Sequence, residues 1–181
     1  MKKASAAKKK AAKPAKAATS PDNKGGYIAP PPATPGEFAK VRIAILATRW
    51  NVDIVDRLVA GAQACLRDWG VPDARVTLLR APGSYEVPLA CKLLLDAKYD
   101  GVVALGAVIR GDTPHFDYVA GECARGLLDV QLKTGKPIGF GVLTVNTVAQ
   151  AVERAGPGHT NKGYEAAAAM LEMLRLRKEL S

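Results

Sequence analysis

Long apolar runs are missing from this sequence. Although 48% of its 181 residues are hydrophobic, no stretch approaches the roughly 20 consecutive apolar residues that span a bilayer, so a soluble protein is expected. Cysteine is sparse: Cys65, Cys91 and Cys123 are an odd number, stand in helical-looking apolar contexts and lie too far apart for a CxxC metal or redox motif. They are expected as reduced core thiols, which points to the cytoplasm. Internal repeats and heptads are absent. At this length one ordinary domain can bury a proper core.

Arginine is absent before Arg42, so every basic residue up to Lys40 is a lysine. The net charge of +9 therefore has a location. Residues 1–40 hold nine lysines against Asp22 and Glu37, a net of 9 − 2 = +7, which leaves about +2 for the other 141 residues. The Lys8-Lys9-Lys10 cluster, the Pro30-Pro31-Pro32 run and the Ala- and Ser-rich spacing bury too little apolar surface to offset chain entropy. A disordered tail over 1–40 and a folded domain over 41–181 are expected. The tail lacks the apolar core of a secretory signal, and a Lys-only basic set departs from the Arg- and Ser-rich make-up of transit peptides. Its charge suits nonspecific contact with RNA or another polyanion, or simple solubilisation.

Residues 41–47 (VRIAILA) read as a strand, followed by Asn51 as cap and Asp53 in the first turn of a helix that runs to about Trp69. Residues 74–80 (ARVTLLR) read as a second strand, with a helix from about Glu86 through VPLACKLLLDA. The apolar run at 101–109 suits a strand buried on both faces and precedes a long helix. Residues 137–145 form a fourth strand, Asn146 and Thr147 start a short helix with Gln150, Glu153 and Arg154, and an amphipathic helix covers 164–180. This alternation predicts an α/β three-layer αβα sandwich around a four-stranded parallel sheet.

In such a sheet ligands bind beyond the carboxyl ends of the strands, which directs attention to three loops. After the third strand, Arg110-Gly111-Asp112-Thr113-Pro114-His115 opens a helix whose free N–H groups and dipole favour an anion such as phosphate. Thr113 adds a hydroxyl. His115 has an imidazole suited to proton transfer near neutral pH, while a capping or solvated histidine is the plainer alternative. After the first strand, Trp50 offers a flat stacking face or a packing staple for its own helix. After the second, Ser84 and Glu86 place a hydroxyl and a carboxylate where a polyol would suit them, or serve as a plain cap. Arg154 reads as an anion clamp or as a surface ion-pair partner.

The loops taken together resemble the lumazine synthase family. The similarity rests on Arg49-Trp50-Asn51, Pro82-Gly83-Ser84-Tyr85-Glu86-Val87-Pro88, LGAVIRGDTPHFDYV at 105–119, Phe140-Gly141-Val142-Leu143-Thr144, Glu153-Arg154-Ala155-Gly156 and Asn161-Lys162-Gly163. It covers nearly all of the expected folded part. The resemblance implies a flavodoxin-like fold and a transferase of riboflavin biosynthesis. Its reaction condenses 5-amino-6-(D-ribitylamino)uracil with 3,4-dihydroxy-2-butanone 4-phosphate to give 6,7-dimethyl-8-ribityllumazine, with loss of phosphate and water and with no metal or organic cofactor.

By the same resemblance Trp50, where the family more often has Phe, stacks on the pyrimidine. Ser84, Tyr85 and Glu86 hold the ribityl chain, and Ala107, Val108 and Ile109 meet the pyrimidine edge through backbone groups. Asp112 and Thr113 bind the phosphate. Many members have a small residue at the first of these positions, and a carboxylate facing a phosphate repels it, so Asp112 is expected to turn its side chain away. His115 transfers protons. Phe140 and Arg154 reach a neighbour's site, the arginine completing the phosphate clamp, with Lys162 close by. The family forms pentamers, in some members assembled into 60-subunit shells, and riboflavin synthase is a candidate partner.

Two other readings of the fold fail at the loops. A flavodoxin-like electron carrier needs a hydroxyl- and Gly-rich phosphate loop after the first strand, where Thr48-Arg49-Trp50-Asn51 stands. A receiver domain needs acidic residues there and an aspartate after the third strand, where Arg49 and Arg110 stand. A flavin- or lumazine-binding or shell-forming protein of the same fold with little activity is the remaining alternative.

Overall fold

The computed structural model describes residues 30–181; residues 1–29, with the lysine cluster and most of the expected tail, lie outside the described residues. The four strands are β1 (Ile43–Thr48), β2 (Val76–Ala81), β3 (Gly101–Ile109) and β4 (Ile138–Val145). The helices are α1 (Val52–Asp68), α2 (Val87–Asp96), α3 (His115–Thr134), α4 (Val148–Arg154) and α5 (Lys162–Glu179). All strand pairs are parallel, in the order β2-β1-β3-β4. This is the expected three-layer α/β sandwich.

Alternation along the two central strands explains the layers. Ile43, Ile45, Ala47, Val103 and Leu105 point to one face and are buried with α1 and α5 residues such as Leu58, Ala62, Met170 and Leu171. Ala44, Leu46, Val102 and Ala104 point to the other and are buried with Cys91, Leu95, Cys123 and Leu127 of α2 and α3. Because both faces are covered, β1 and β3 read as unbroken apolar runs. The three cysteines are free and buried. Burial pushes the thiol of Cys65 up to about 12 and that of Cys123 up to about 11, so neither is an available nucleophile at neutral pH.

Helix α5 closes tightly onto α1. Gly163 lies directly against the Leu58 carbonyl, with no room there for a β-carbon. The buried Asn161 caps α5 by accepting from Gly163 N (2.8 Å) and Tyr164 N (3.3 Å), and its amide donates to the carbonyls of Arg57 (3.1 Å) and Gly156 (2.8 Å).

Several boundaries differ from the sequence reading. The packed structure begins before residue 41: residues 35–40 form turns, Phe38 is buried, and its ring lies 5.8 Å from that of Trp69. The hydrophobic contact of a single Phe overrides the tail-like composition around it. Strand β1 starts at Ile43 because Val41 N donates to Phe38 O (3.3 Å) and Arg42 N to Asp100 Oδ2 (2.8 Å), away from the ladder. Strand β2 starts at Val76 because Asp73–Arg75 is a 3-10 turn in which Arg75 N donates to Pro72 O (2.8 Å). Among the described residues no helix is long and apolar enough to cross a membrane.

Candidate active site

Because the sheet is parallel, β1, β2, β3 and β4 all end on one edge, at Thr48, Ala81, Ile109 and Val145. From β1 the chain passes to β2 on one side, while β3 pairs on the other. This switch point opens a crevice between the loops that follow β1 and β3. After Thr48, Arg49 N donates to Ala81 O (3.1 Å) and carries the chain toward β2, so that the crevice is left beside β3.

Trp50 stands in that loop with 72% of its surface exposed. Its indole lies against Gly83, where a β-carbon would stand 3.6 Å from Cδ1 and 3.7 Å from Nε1 of Trp50 and 3.1 Å from Oε2 of Glu86. Trp50 and Glu86 therefore flank one backbone segment. Ser84 and Glu86 lie in a 3-10 turn, and neither side chain caps α2. The plain-cap alternative is not what the structure adopts. Ser84 is instead buried, and its Oγ would stand 3.1 Å from a β-carbon at Gly106, beside Oγ1 of Thr48 at 3.2 Å. Thr48 Oγ1 is a buried hydroxyl without a hydrogen-bond partner. Tyr85 is 62% exposed.

Asn51 departs from its expected role. Its side chain makes no cap; the residue adopts left-handed φ 54°, ψ 46°, its carbonyl accepts from Ile54 N and Val55 N (both 3.0 Å), and its Nδ2 donates to Ala107 O at 3.0 Å. Val108 and Ile109 follow Ala107 at the strand end and are half-buried.

The loop after β3 is short, and Asp112, Thr113 and His115 are all exposed on it. Helix α3 begins at His115 itself, with Pro114 in the cap position and no side-chain cap; the Asp117 N–H donates to Pro114 O (3.0 Å), which leaves the N–H groups of His115 and Phe116 to meet an anion. Arg110 braces the loop from behind. Its guanidinium donates to Asp117 (2.9 and 3.3 Å) and to Asn146 Oδ1 (3.2 Å), lies 4.1 Å over the Phe116 ring, and its backbone N donates to Val145 O (2.9 Å). Asp112 has no hydrogen-bond or ion-pair partner among the described residues, whereas Asp117 takes the nearby arginine.

Phe140 is set back from this cluster within one chain, and Arg154 is engaged on its own helix. Phe140 pairs in register with Ala104 and lies 145 − 140 = 5 residues before the end of β4, about 16 Å back along the strand. Arg154 ends α4, donates to Gln150 O (3.0 Å) and lies 3.7 Å from Glu153. Lys162 pairs with Glu165 at 2.6 Å.

A groove of about 500 Å³ lies elsewhere, between α1 and the loop before α5, lined among others by Arg57, Gly61, Asp68, His159 and Tyr164. The His159 ring packs on Tyr164 (4.5 Å) and the Tyr164 hydroxyl donates to Asp68 (3.1 Å), so these groups serve one another. The groove contains none of the strand-end residues. Asn51, read from the sequence as a cap, and Arg110, read as part of a turn cluster, make contacts here that patterning did not assign to them, and Thr48 was assigned none.

Residues 40–178 match the family described as 6,7-dimethyl-8-ribityllumazine synthase. The chain is 52% identical over 141 residues to the 6,7-dimethyl-8-ribityllumazine synthase of Desulfovibrio desulfuricans, covering 77% of this chain and 90% of that protein. It is 49% identical over 142 residues to the protein of the same name from Lawsonia intracellularis (78% and 90% covered) and 51% identical over 141 residues to that from Nitratidesulfovibrio vulgaris (77% and 90%).

Proposed function

Because the chain belongs to the 6,7-dimethyl-8-ribityllumazine synthase family, we propose that its strand-end crevice holds the two substrates of that reaction and is completed by a neighbouring subunit. The protein is a transferase of riboflavin biosynthesis. It condenses 5-amino-6-(D-ribitylamino)uracil with 3,4-dihydroxy-2-butanone 4-phosphate, and phosphate and water leave.

The observation that carries the site assignment is the convergence of Trp50, Glu86, Ser84 and Ala107 at the switch point, next to the free N-terminus of α3. The pyrimidine stacks on Trp50 and meets the backbone of Ala107, Val108 and Ile109. The ribityl hydroxyls reach Ser84, Tyr85 and Glu86. The phosphate lies at Thr113 and the first N–H groups of α3, with the Asp112 side chain turned outward and its backbone N–H facing the anion. The 5-amino group attacks the ketone and expels water to form an imine, phosphate is eliminated to leave an enol that tautomerises to a new carbonyl, and the ribitylamino nitrogen closes the ring on that carbonyl with loss of a second water. His115 moves protons among these steps. The bound geometry supplies much of the acceleration.

Phe140 and Arg154 serve the site of the next subunit. An apolar surface on the α2/α3 side supports such an assembly: Leu89, Leu93, Tyr118, Leu128, Leu132 and Phe140 are between 48% and 75% exposed, a patch of the kind that marks protein interfaces. A ring of five copies, or twelve such rings, would cover it. Three unpaired thiols suit a reducing compartment such as the cytoplasm. The reading is tested by mixing the purified protein with both substrates and following lumazine fluorescence above the spontaneous rate. Saturable acceleration supports it; a well-folded oligomer that binds lumazine without accelerating its formation would make the protein a ligand-binding or shell relative instead.

A further inference from the structure

We propose that Asn51 is a positioning residue for the pyrimidine: its side chain replaces a missing rung of the β1–β3 ladder and so fixes the spacing between the Trp50 face and the end of β3. The proposal rests on the site reading above.

The parity of β3 shows which rung is missing. Val102 N and Arg110 N donate to Pro137 O and Val145 O on the β4 side, so even-numbered residues of β3 turn their backbone groups toward β4 and odd-numbered ones toward β1. Pairing with β1 stops at Ala47↔Leu105. The Ala107 carbonyl, two residues on, faces the side from which β1 has turned away. Left alone it would be an unpaired acceptor at the wall of the crevice. Asn51 Nδ2 meets it at 3.0 Å, and the assignment of the amide nitrogen to this contact is forced, because a carbonyl can only accept.

The backbone of Asn51 fits this task. Among the described non-glycine residues only Asn51 and Lys98 have positive φ, and Asn is among the side chains best suited to the left-handed region. With φ 54° the chain turns sharply enough for the Asn51 carbonyl to open α1 while its side chain points back across the crevice. Trp50, the preceding residue, stands beside Gly83 on the other side. One amide thus sets how far the stacking face stands from the strand edge that reads the pyrimidine.

Two substitutions separate the turn from the bridge. Asn51→Gly keeps the left-handed turn and removes the amide; Asn51→Asp keeps size and turn but sets an oxygen against the Ala107 carbonyl. In each purified, assembled variant the KM for both substrates is measured. Both changes are expected to raise the KM for ribitylaminouracil about tenfold, the weight of one hydrogen bond left unmade, with the KM for the butanone phosphate within about twofold of wild type. Equal KM values in wild type and variants, an equal rise for both substrates, or failure of both variants to assemble would overturn the proposal, the last by making Asn51 a fold residue. A wild-type protein that shows no saturable use of ribitylaminouracil would instead overturn the site reading beneath it.

Discussion

Glu37 accepts two hydrogen bonds from Arg175, from Nε at 2.6 Å and from Nη2 at 3.1 Å, across 138 positions of sequence. The pair is largely shielded, with 13% and 17% of the two side chains exposed, and Arg175 also lies 5.0 Å over the Trp69 ring. It latches the segment before β1 onto the last helix. The Arg175 hydrogen bonds hold the Glu37 carboxyl below its ordinary value of 4.5.

A folded-state pKa below the unfolded one makes the latch stabilising above about the ordinary value, and that stability is lost as pH falls through the lowered value. Thermal melting of wild type and Glu37→Gln is therefore expected to differ most at neutral pH, and the gap is expected to shrink as pH falls below 4.5. A gap independent of pH would mean that the ionised pair contributes nothing.

Trp50→Ala is expected to weaken ribitylaminouracil binding by about 1–3 kcal/mol, the range for stacking a base on an aromatic ring. Trp50→Phe is expected to keep most of the affinity. Isothermal titration with the pyrimidine alone checks both, since neither change touches the phosphate loop.

His115→Ala is expected to slow turnover on the order of 10²-fold, the lower part of the range for a positioned proton carrier, and to leave measurable activity. Orientation of two reactive substrates survives the change. Single-turnover lumazine formation in the folded variant checks this, and complete loss of acceleration would count against the division of labour between His115 and binding.

The layers of the fold were legible because a parallel sheet covered on both faces leaves continuous apolar runs, as in β3, and because Gly- and Asn-containing turns punctuate them. The positions of the site loops were legible for the same reason. The start of the packed structure was not, since one buried Phe38 and one Glu37 stand among residues whose average composition is that of a tail. The bridge from Asn51 was hidden too: a capping residue and a bridging residue look alike until the partner 56 positions away is placed beside it. Which subunit's site Phe140 and Arg154 face is invisible in any linear pattern, because spacing along a chain does not say which copy a side chain serves.

The central claim is that each site is built by two subunits, and hetero-assembly tests it most directly. Trp50→Ala/His115→Ala and Arg154→Ala chains are co-expressed and the mixed oligomer is assayed at low butanone phosphate. Head-to-tail contact between neighbours predicts that about one site in four pairs an intact Trp50 and His115 with an intact Arg154, so the mixture exceeds both parent oligomers. If Arg154 instead serves the site of its own chain, every site in the mixture carries one defect, and activity no greater than the average of the two parents would contradict the account.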